Sequence, residues 1–327
     1  MAGMSRARPF PAATALTILA LSACTGPQSA LDPAGEDAAE IAGLFWQMLA
    51  GAAVIWCLVL GGSVLASWRG RSLWQVATAL KVILWAGAVF PTLVLAGLLV
   101  HGLRLMPALR ATESDLRIEV VGERFWWRVI YHREGAPPVV SANEIRLPAG
   151  ATVEFILSSP DVIHSFWIPP LGGKTDLIPG RTTRQVLRPT RPGVYRGACA
   201  EFCGASHALM ALTAEVMAPE DFANWLEAEA GPAAVTSGPG PDAFLRHGCA
   251  ACHTVRGTEA AAVIGPDLTH LGRRHTVGAG ILANGPATIA RFIAHAEALK
   301  PELRMPSYAM LPEAELRILA DWLASLR

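Results

Sequence analysis

The segment Cys199–Met210 reads CAEFCGASHALM and places two thiols, a carboxylate, an imidazole and a thioether within twelve residues. Sulfur and imidazole donors select copper, zinc or iron–sulfur rather than magnesium or calcium. On one continuous helix Cys199, Cys203, His207 and Met210 would share a face, yet they would be strung over about 16 Å of axis, too far for one metal centre. If the donors converge, the segment is a folded loop, and Gly204 in its middle suits a tight bend. His164, isolated in SPDVIHSFWIPP, completes a soft set of His, Cys, Cys, His and Met. The bland alternative is two buried structural cysteines beside a core histidine and methionine.

A second cluster lies downstream. Cys249–His253 reads CAACH, the attachment signature of c-type haem. Two thiols three residues apart face the same way and can form thioethers to a porphyrin, and His253 follows directly as the proximal iron ligand. The motif also occurs in zinc and redox sites, so context counts. About a hundred residues, a helix before the motif and an amphipathic helix at Glu313–Leu326 fit a small cytochrome c, and Gly265-Pro266-Asp267-Leu268 resembles the loop that supports the proximal His there. The sixth ligand is expected downstream at Met305 in LKPELRMPSY, with Met310 as the competitor. His/Met ligation raises a haem potential and suits electron transfer rather than oxygen activation. His247, His270, His275 and His295 read as surface or packing residues.

The first cluster sits in a longer ordered pattern: NEIRLPAG (Asn143–Gly150), DVIHSFWIPPLGGKTDLIPG (Asp161–Gly180) and VYRGACAEFCGASHALM (Val194–Met210). Here the chain resembles subunit II of the haem–copper cytochrome c oxidases, in the form fused to a C-terminal cytochrome c domain (caa3-type). The resemblance implies a binuclear copper centre, CuA. Cys199 and Cys203 would bridge two coppers, His164 and His207 would each bind one, and Met210 and the carbonyl of Glu201 would be weak outer ligands. It also implies that the Glu201 carboxylate reaches a magnesium ion shared with subunit I. The chemistry is sensible for these residues. Bridging thiolates let one electron spread over both metals, and a weak axial thioether tunes the potential, as in mononuclear blue-copper sites. The stretch FWWRVIY (Phe125–Tyr131) resembles the family's aromatic cluster near the electron-entry patch, with Phe125 where the family usually has its first Trp; as a strand, it must also pack a core.

What positions these clusters follows from the rest of the chain. Its 327 residues are enough for two or three domains. Only 17% are charged, the formal net charge is zero and 52% are hydrophobic. That balance gives no basic surplus for nucleic acid and points to membrane segments. Six cysteines at uneven positions are no disulfide scaffold; Cys57, inside an apolar run, reads as a small buried hydrophobe.

Residues 1–24 resemble a secretion signal, with Arg6 and Arg8 before the apolar Ala12–Leu21, and Leu21-Ser22-Ala23-Cys24 resembles a lipoprotein cleavage site with Cys24 as the lipidated N-terminus. A transmembrane hairpin is expected over 38–110, its helices at about 41–68 and 79–104. Pro91 interrupts the second, as membrane helices tolerate, and the WRGR loop between them is expected on the cytoplasmic side. In the domain expected over 111–230, residues 115–218 read as strands, alternating at Leu116–Val121, Arg124–Tyr131, Glu144–Leu147 and Thr152–Leu157, separated by Gly/Pro turns. Such spacing suggests a Greek-key sandwich or barrel, which the resemblance makes a cupredoxin. Residues 231–242, GPAAVTSGPGPD, read as a Gly/Pro-rich linker, and 243–327 as an all-α class I cytochrome c domain. The fold class is therefore multidomain: helical hairpin, all-β cupredoxin and all-α cytochrome c.

The resemblance implies the electron-entry subunit of a terminal oxidase in a bacterial inner membrane, multi-pass, with copper and haem on the periplasmic side. Electrons would come from a cytochrome c or a quinol:cytochrome c reductase, pass through haem and CuA, and go to subunit I, where oxygen is reduced and protons are translocated. Subunits I and III and membrane lipid would be partners, and no residue of this chain would be catalytic. Three other readings differ in class. A copper-delivery protein or electron carrier outside any oxidase needs no haem, a nitrous-oxide reductase needs a β-propeller, and a quinol oxidase subunit lacks the copper ligands.

Overall fold

The computed structural model describes residues 24–69, 76–106 and 113–327. The leader expected over 1–24 lies outside these residues except for Cys24, and so do Gly70 and Arg71 of the expected WRGR loop. The chain divides into two units, Ala39–Glu113 and the remainder.

The smaller unit is helical. Helix α1 (Glu36–Arg69) is followed by α2 (Val76–Leu84), a single wide turn at Trp85–Val89, and α3 (Phe90–Leu105). Both spans, Glu36–Trp68 and Thr78–Leu105, are long and apolar enough to cross a membrane, with a mean hydropathy of 2.2 each. The wide turn has a local cause. Pro91 lacks an N–H and its ring would clash with the carbonyl four residues back, so the helix opens there.

The larger unit contains two packed layers of strand. One sheet runs, in spatial order, β3 (Ala136–Ala142), β2 (Trp126–Arg133), β1 (Leu116–Glu123), β5 (Val153–Ser158) and β8 (Thr183–Leu187). The other runs β4 (Glu144–Pro148), β10 (Ala211–Met217), β9 (Gly193–Cys199), β6 (His164–Trp167) and β7 (Thr175–Leu177). The pairs β1–β5 and β4–β10 are parallel and the others antiparallel, so the chain crosses between sheets as a cupredoxin-like sandwich does. Alternation drives it. In β1, Ile118 and Val120 are fully buried, and in β5 Val153, Phe155 and Leu157 are. Each fully buried aliphatic or aromatic side chain contributes about 1.5–3 kcal/mol, and Phe125, Trp127, Tyr131, Phe155 and Phe166 all sit at zero exposure in this one core. The result is a stiff frame for the loops at its end.

The residues at the start of α1 and just before it form a strap on this sandwich. Ala34 donates to the Pro170 carbonyl at 2.7 Å, and the Asp37 carboxylate takes the Arg188 guanidinium at 2.8 Å. After β10, α4 (Pro219–Ala230) packs Phe222 against Tyr131.

The C-terminal part has its own core, built from α5 (Pro239–Arg246), α6 (Pro286–Ala294), the short α7 (Ala296–Leu299) and α8 (Glu313–Ser325). Phe244 of α5 meets Trp322 of α8 edge-on at 5.2 Å. A two-residue ladder, β11 (Thr276–Val277) with β12 (Leu282–Ala283), interrupts the helices. The segment expected as a flexible linker is pinned in place: Ala233 is buried, its N–H donates to the Arg256 carbonyl at 2.9 Å, and α5 already opens at Pro239.

Candidate metal and haem sites

Strand β6 opens on His164 and strand β9 closes on Cys199, side by side at one end of the sandwich. Phe166 of β6 pairs in register with Cys199. From Cys199 the chain leaves the sheet, bends at Gly204 with φ +131° and makes a single 3₁₀ turn at His207–Leu209 before β10. The donors that a helix would string out are thereby gathered. Cys199 Sγ lies 3.8 Å from Cys203 Sγ and 3.8 Å from His164 Nδ1. Cys203 Sγ lies 3.6 Å from His207 Nδ1 and 4.0 Å from Met210 Sδ. The carbonyl of Glu201 faces Cys199 Sγ at 3.2 Å. All six residues singled out in the sequence therefore meet at one place.

These spacings suit soft metal. With metal–sulfur bonds of about 2.3 Å and metal–nitrogen bonds of about 2.0 Å, as around zinc, donors of a tetrahedral ion stand roughly 3.5–3.8 Å apart. Two sulfurs each flanked by one imidazole, with a thioether and a carbonyl beyond, would suffice for a pair of such positions sharing both thiolates. His164, Cys199, Cys203 and Met210 are buried, which keeps water from competing. Without metal, the hydrogen bond from Cys203, joined by that of His164, holds the Cys199 thiol down at about 3 against the effect of burial. The adjacent thiolate and burial push Cys203 up. Burial opposes charging His164, but its bonds to Cys199 and Asp161 outweigh this and raise it.

One residue here escaped the sequence reading. Asp161 Oδ1 lies 2.9 Å from His164 Nε2, the ring nitrogen turned away from the sulfurs. Asp161 also accepts from the N–H groups of Arg124 and Val162 at 2.8 and 2.7 Å. It fixes the tautomer that leaves Nδ1 free for metal, as carboxylates behind metal-binding histidines do. The only sequence signal was a carboxylate three residues before the histidine. Asp161→Asn is expected to weaken copper binding about 10–100-fold, read by competition with a copper chelator; unchanged affinity would remove Asp161 from this role.

The CAACH segment lines an apolar cavity in the C-terminal part, formed with Phe244, Leu268, Ile289, Met305 and Leu323 among others. Cys249–Ala251 is a 3₁₀ turn, so both thiols face the cavity. Burial pushes Cys249 up to about 11. His253 Nδ1 donates to the Pro266 carbonyl at 2.8 Å, which turns Nε2 inward, and burial holds the ring below its ordinary range and hence neutral. Gly265 is required for this: a Cβ there would stand 2.6 Å from His253 Cε1. Met305 lines the same cavity and packs on its core, whereas Met310 is 76% exposed and lies outside it. The buried Arg274 guanidinium also lines it, as does Lys300, whose ammonium burial pushes down to about 7. An apolar wall, two adjacent thiols, a neutral imidazole, a thioether and buried positive charge fit a porphyrin that carries two carboxylates.

The cavity wall includes residues of the strand sandwich: Phe125, Trp126 and Asn143. Phe125 is fully buried and also packs on the sulfur-bearing loop, its ring lying 3.0 Å from where a Cβ on Gly204 would be. Trp126 carries the Arg128 guanidinium 4.7 Å above its ring. His247, His270, His275 and His295 join neither cluster.

Comparison with known proteins agrees with this division. The family described as cytochrome c oxidase subunit II, periplasmic domain, matches residues 134–217, and the family described as cytochrome c matches 238–327. A cytochrome c oxidase subunit 2 of Alkalihalophilus pseudofirmus is 35% identical over 66% of this chain and 62% of its own length. One from Bacillus sp. (strain PS3) is 27% identical over 76% of this chain and 73% of its own. The solved periplasmic domain of subunit II of the Bradyrhizobium japonicum cytochrome oxidase is 28% identical, covers 37% of this chain and 96% of that domain, and superposes with a TM-score of 0.35. The chain thus spans about three fifths of the length of the first of these relatives.

Proposed function

Because the chain joins a cytochrome c oxidase subunit II periplasmic domain to a cytochrome c domain, we propose that it is the electron-entry subunit of a bacterial respiratory oxidase. A copper pair and a c-type haem, when bound, each take up and release one electron. His164, Cys199, Cys203, His207, Met210 and the Glu201 carbonyl would hold the copper pair, CuA. Cys249 and Cys252 would fix the haem covalently, with His253 and Met305 on its two faces. The remaining residues keep these donors still. Asp161 orients His164, Pro266 orients His253, and the apolar walls exclude water. A frame that cannot relax changes little between oxidation states, which favours relay over bond-making.

The observation that carries this reading is that both donor sets lie in one compact unit, with Phe125 packed against both the haem cavity and the copper loop. Electrons would enter from a cytochrome c or a quinol:cytochrome c reductase and leave for subunit I, where oxygen is reduced and protons are moved. Both apolar spans would cross the inner membrane beside subunits I and III, with the other domains in the periplasm. The Glu201 side chain, half exposed and 3.8 Å from Lys174 Nζ, would reach magnesium at the junction with subunit I.

Metal analysis of the purified full-length chain is expected to give two coppers and one covalently bound haem, and electron paramagnetic resonance a delocalised mixed-valence signal. One copper with a mononuclear signal would favour a membrane copper-delivery protein instead, a reading that leaves Met210, His207 and the haem cavity without purpose.

A further inference from the structure

Glu144 belongs to the NEIRLPAG motif, yet it touches neither the copper donors nor the haem-attachment residues. It opens β4, where alternation would put a carboxylate into solvent, but only 4% of it is exposed. Asn143, held at φ +62° and bonded to Trp127 through both its N–H and its Oδ1, turns the strand start so that Glu144 points away from its own domain's surface water. Its Oε1 accepts from two backbone N–H groups of the cytochrome c domain, His275 at 2.6 Å and Thr276 at 3.1 Å. Burial raises its carboxyl above the ordinary range, against the opposing pull of the nearby Arg274 and Arg146 guanidinium groups.

We propose that Glu144 is a latch that holds the haem-binding domain on the copper-binding domain in one fixed pose. The contact around it is continuous. Ala211 N–H donates to the Ala279 carbonyl at 3.1 Å, and Ser206 Oγ to the Pro301 carbonyl at 2.6 Å. Trp126, Ala142 and Ala279 close a small apolar seam, none more than 8% exposed. A carboxylate that accepts two amides is the strongest kind of bond in such a seam, and its removal strands both donors in a dry interface. The Phe125–Trp126 wall is thereby occupied from within the chain. The value of a fixed pose for electron relay rests on the electron-entry reading; the latch itself does not.

Hydrogen–deuterium exchange on the full-length chain, loaded with copper and haem in detergent, tests it. In the wild type the amides of His275, Thr276 and Ala211 are expected to be protected. Glu144→Ala is expected to speed their exchange by about tenfold or more, while α8 keeps its wild-type protection. Glu144→Gln, which retains an acceptor, should restore most of it. Unprotected amides in the wild type, or equal protection in Glu144→Ala, would overturn the latch. If Glu144→Ala does not fold, the wild type decides alone. After cleavage at a protease site placed between Thr236 and Ser237, latched halves elute together and unlatched halves separate. Neither outcome alters the metal and haem content, so the latch and the electron-entry reading fail separately.

Discussion

Replacing Cys203 by Ser is expected to abolish the shared copper site while leaving the chain folded. Cys203 has as many partners as Cys199, its sulfur lying within 4.0 Å of Cys199 Sγ, His207 Nδ1 and Met210 Sδ. Without it the two metal positions have one sulfur in common instead of two, and His207 and Met210 face a weak hydroxyl. A buried serine in its place costs about 1–3 kcal/mol, against a typical domain stability of 5–15 kcal/mol, so the loss is one of chemistry and not of fold. Metal analysis should find at most one copper, and electron paramagnetic resonance either a mononuclear signal or none. Met210→Leu is the informative contrast. It removes an outer donor of similar volume, so both coppers should stay and the reduction potential should move. Cys57→Ser, in an apolar helix outside the cluster, should change neither. Two coppers with a delocalised signal in Cys203→Ser would show that the thiolates do not bridge.

The residues proposed to hold copper stood out in the sequence because they are chemically unusual and close together. Five of the six fall in twelve residues, and no ordinary core needs that mixture. The same holds for CAACH, where covalent attachment dictates the spacing. Alternation also marked β1, β2, β4 and β5, since a strand with one face in a core cannot avoid a period of two. What stayed hidden depends on partners far away along the chain. Periodicity says which face of β4 is buried but not against what, so nothing in the sequence singled out Glu144, which meets His275 and Thr276 more than a hundred positions later. Composition marked 231–242 as a linker because Gly and Pro weaken regular structure, but it carries no information on the Arg256 contacts that pin Gly231 and Ala233. Asp161 was readable only in part. Its place three residues before His164 permits the contact, while the N–H groups of Arg124 and Val162 make it specific. The strap at Ala34–Asp37 has no local signal at all, because its partners Pro170 and Arg188 are supplied by the folded sandwich.

Met305→Leu is expected to remove the sulfur–iron charge-transfer band of the oxidised haem without loosening the haem itself. Two methionines compete in LKPELRMPSYAM, and their environments separate them. Met305 lines the cavity with Leu303, Pro306 and Tyr308, whereas Met310 is 76% exposed and contributes nothing to the wall. For Met310 to reach the iron, the chain from Pro306 onward would have to turn inside out and give up the Tyr308 N–H bond to the Ile293 carbonyl at 3.0 Å. A Met→Leu change preserves volume and ordinarily costs under about 1.5 kcal/mol, so a lost band reports the sulfur and not a collapsed pocket. Attachment rests on Cys249 and Cys252, and the proximal bond on His253, all from a different segment; the haem should therefore survive acid–acetone extraction in the variant. Its potential should fall, because a thioether opposite the histidine stabilises the reduced iron. Met310→Leu should leave band and potential as in the wild type. The reverse pattern, with the band kept in Met305→Leu and lost in Met310→Leu, would assign the sixth ligand to Met310 and require that the 306–311 segment refold when haem is attached.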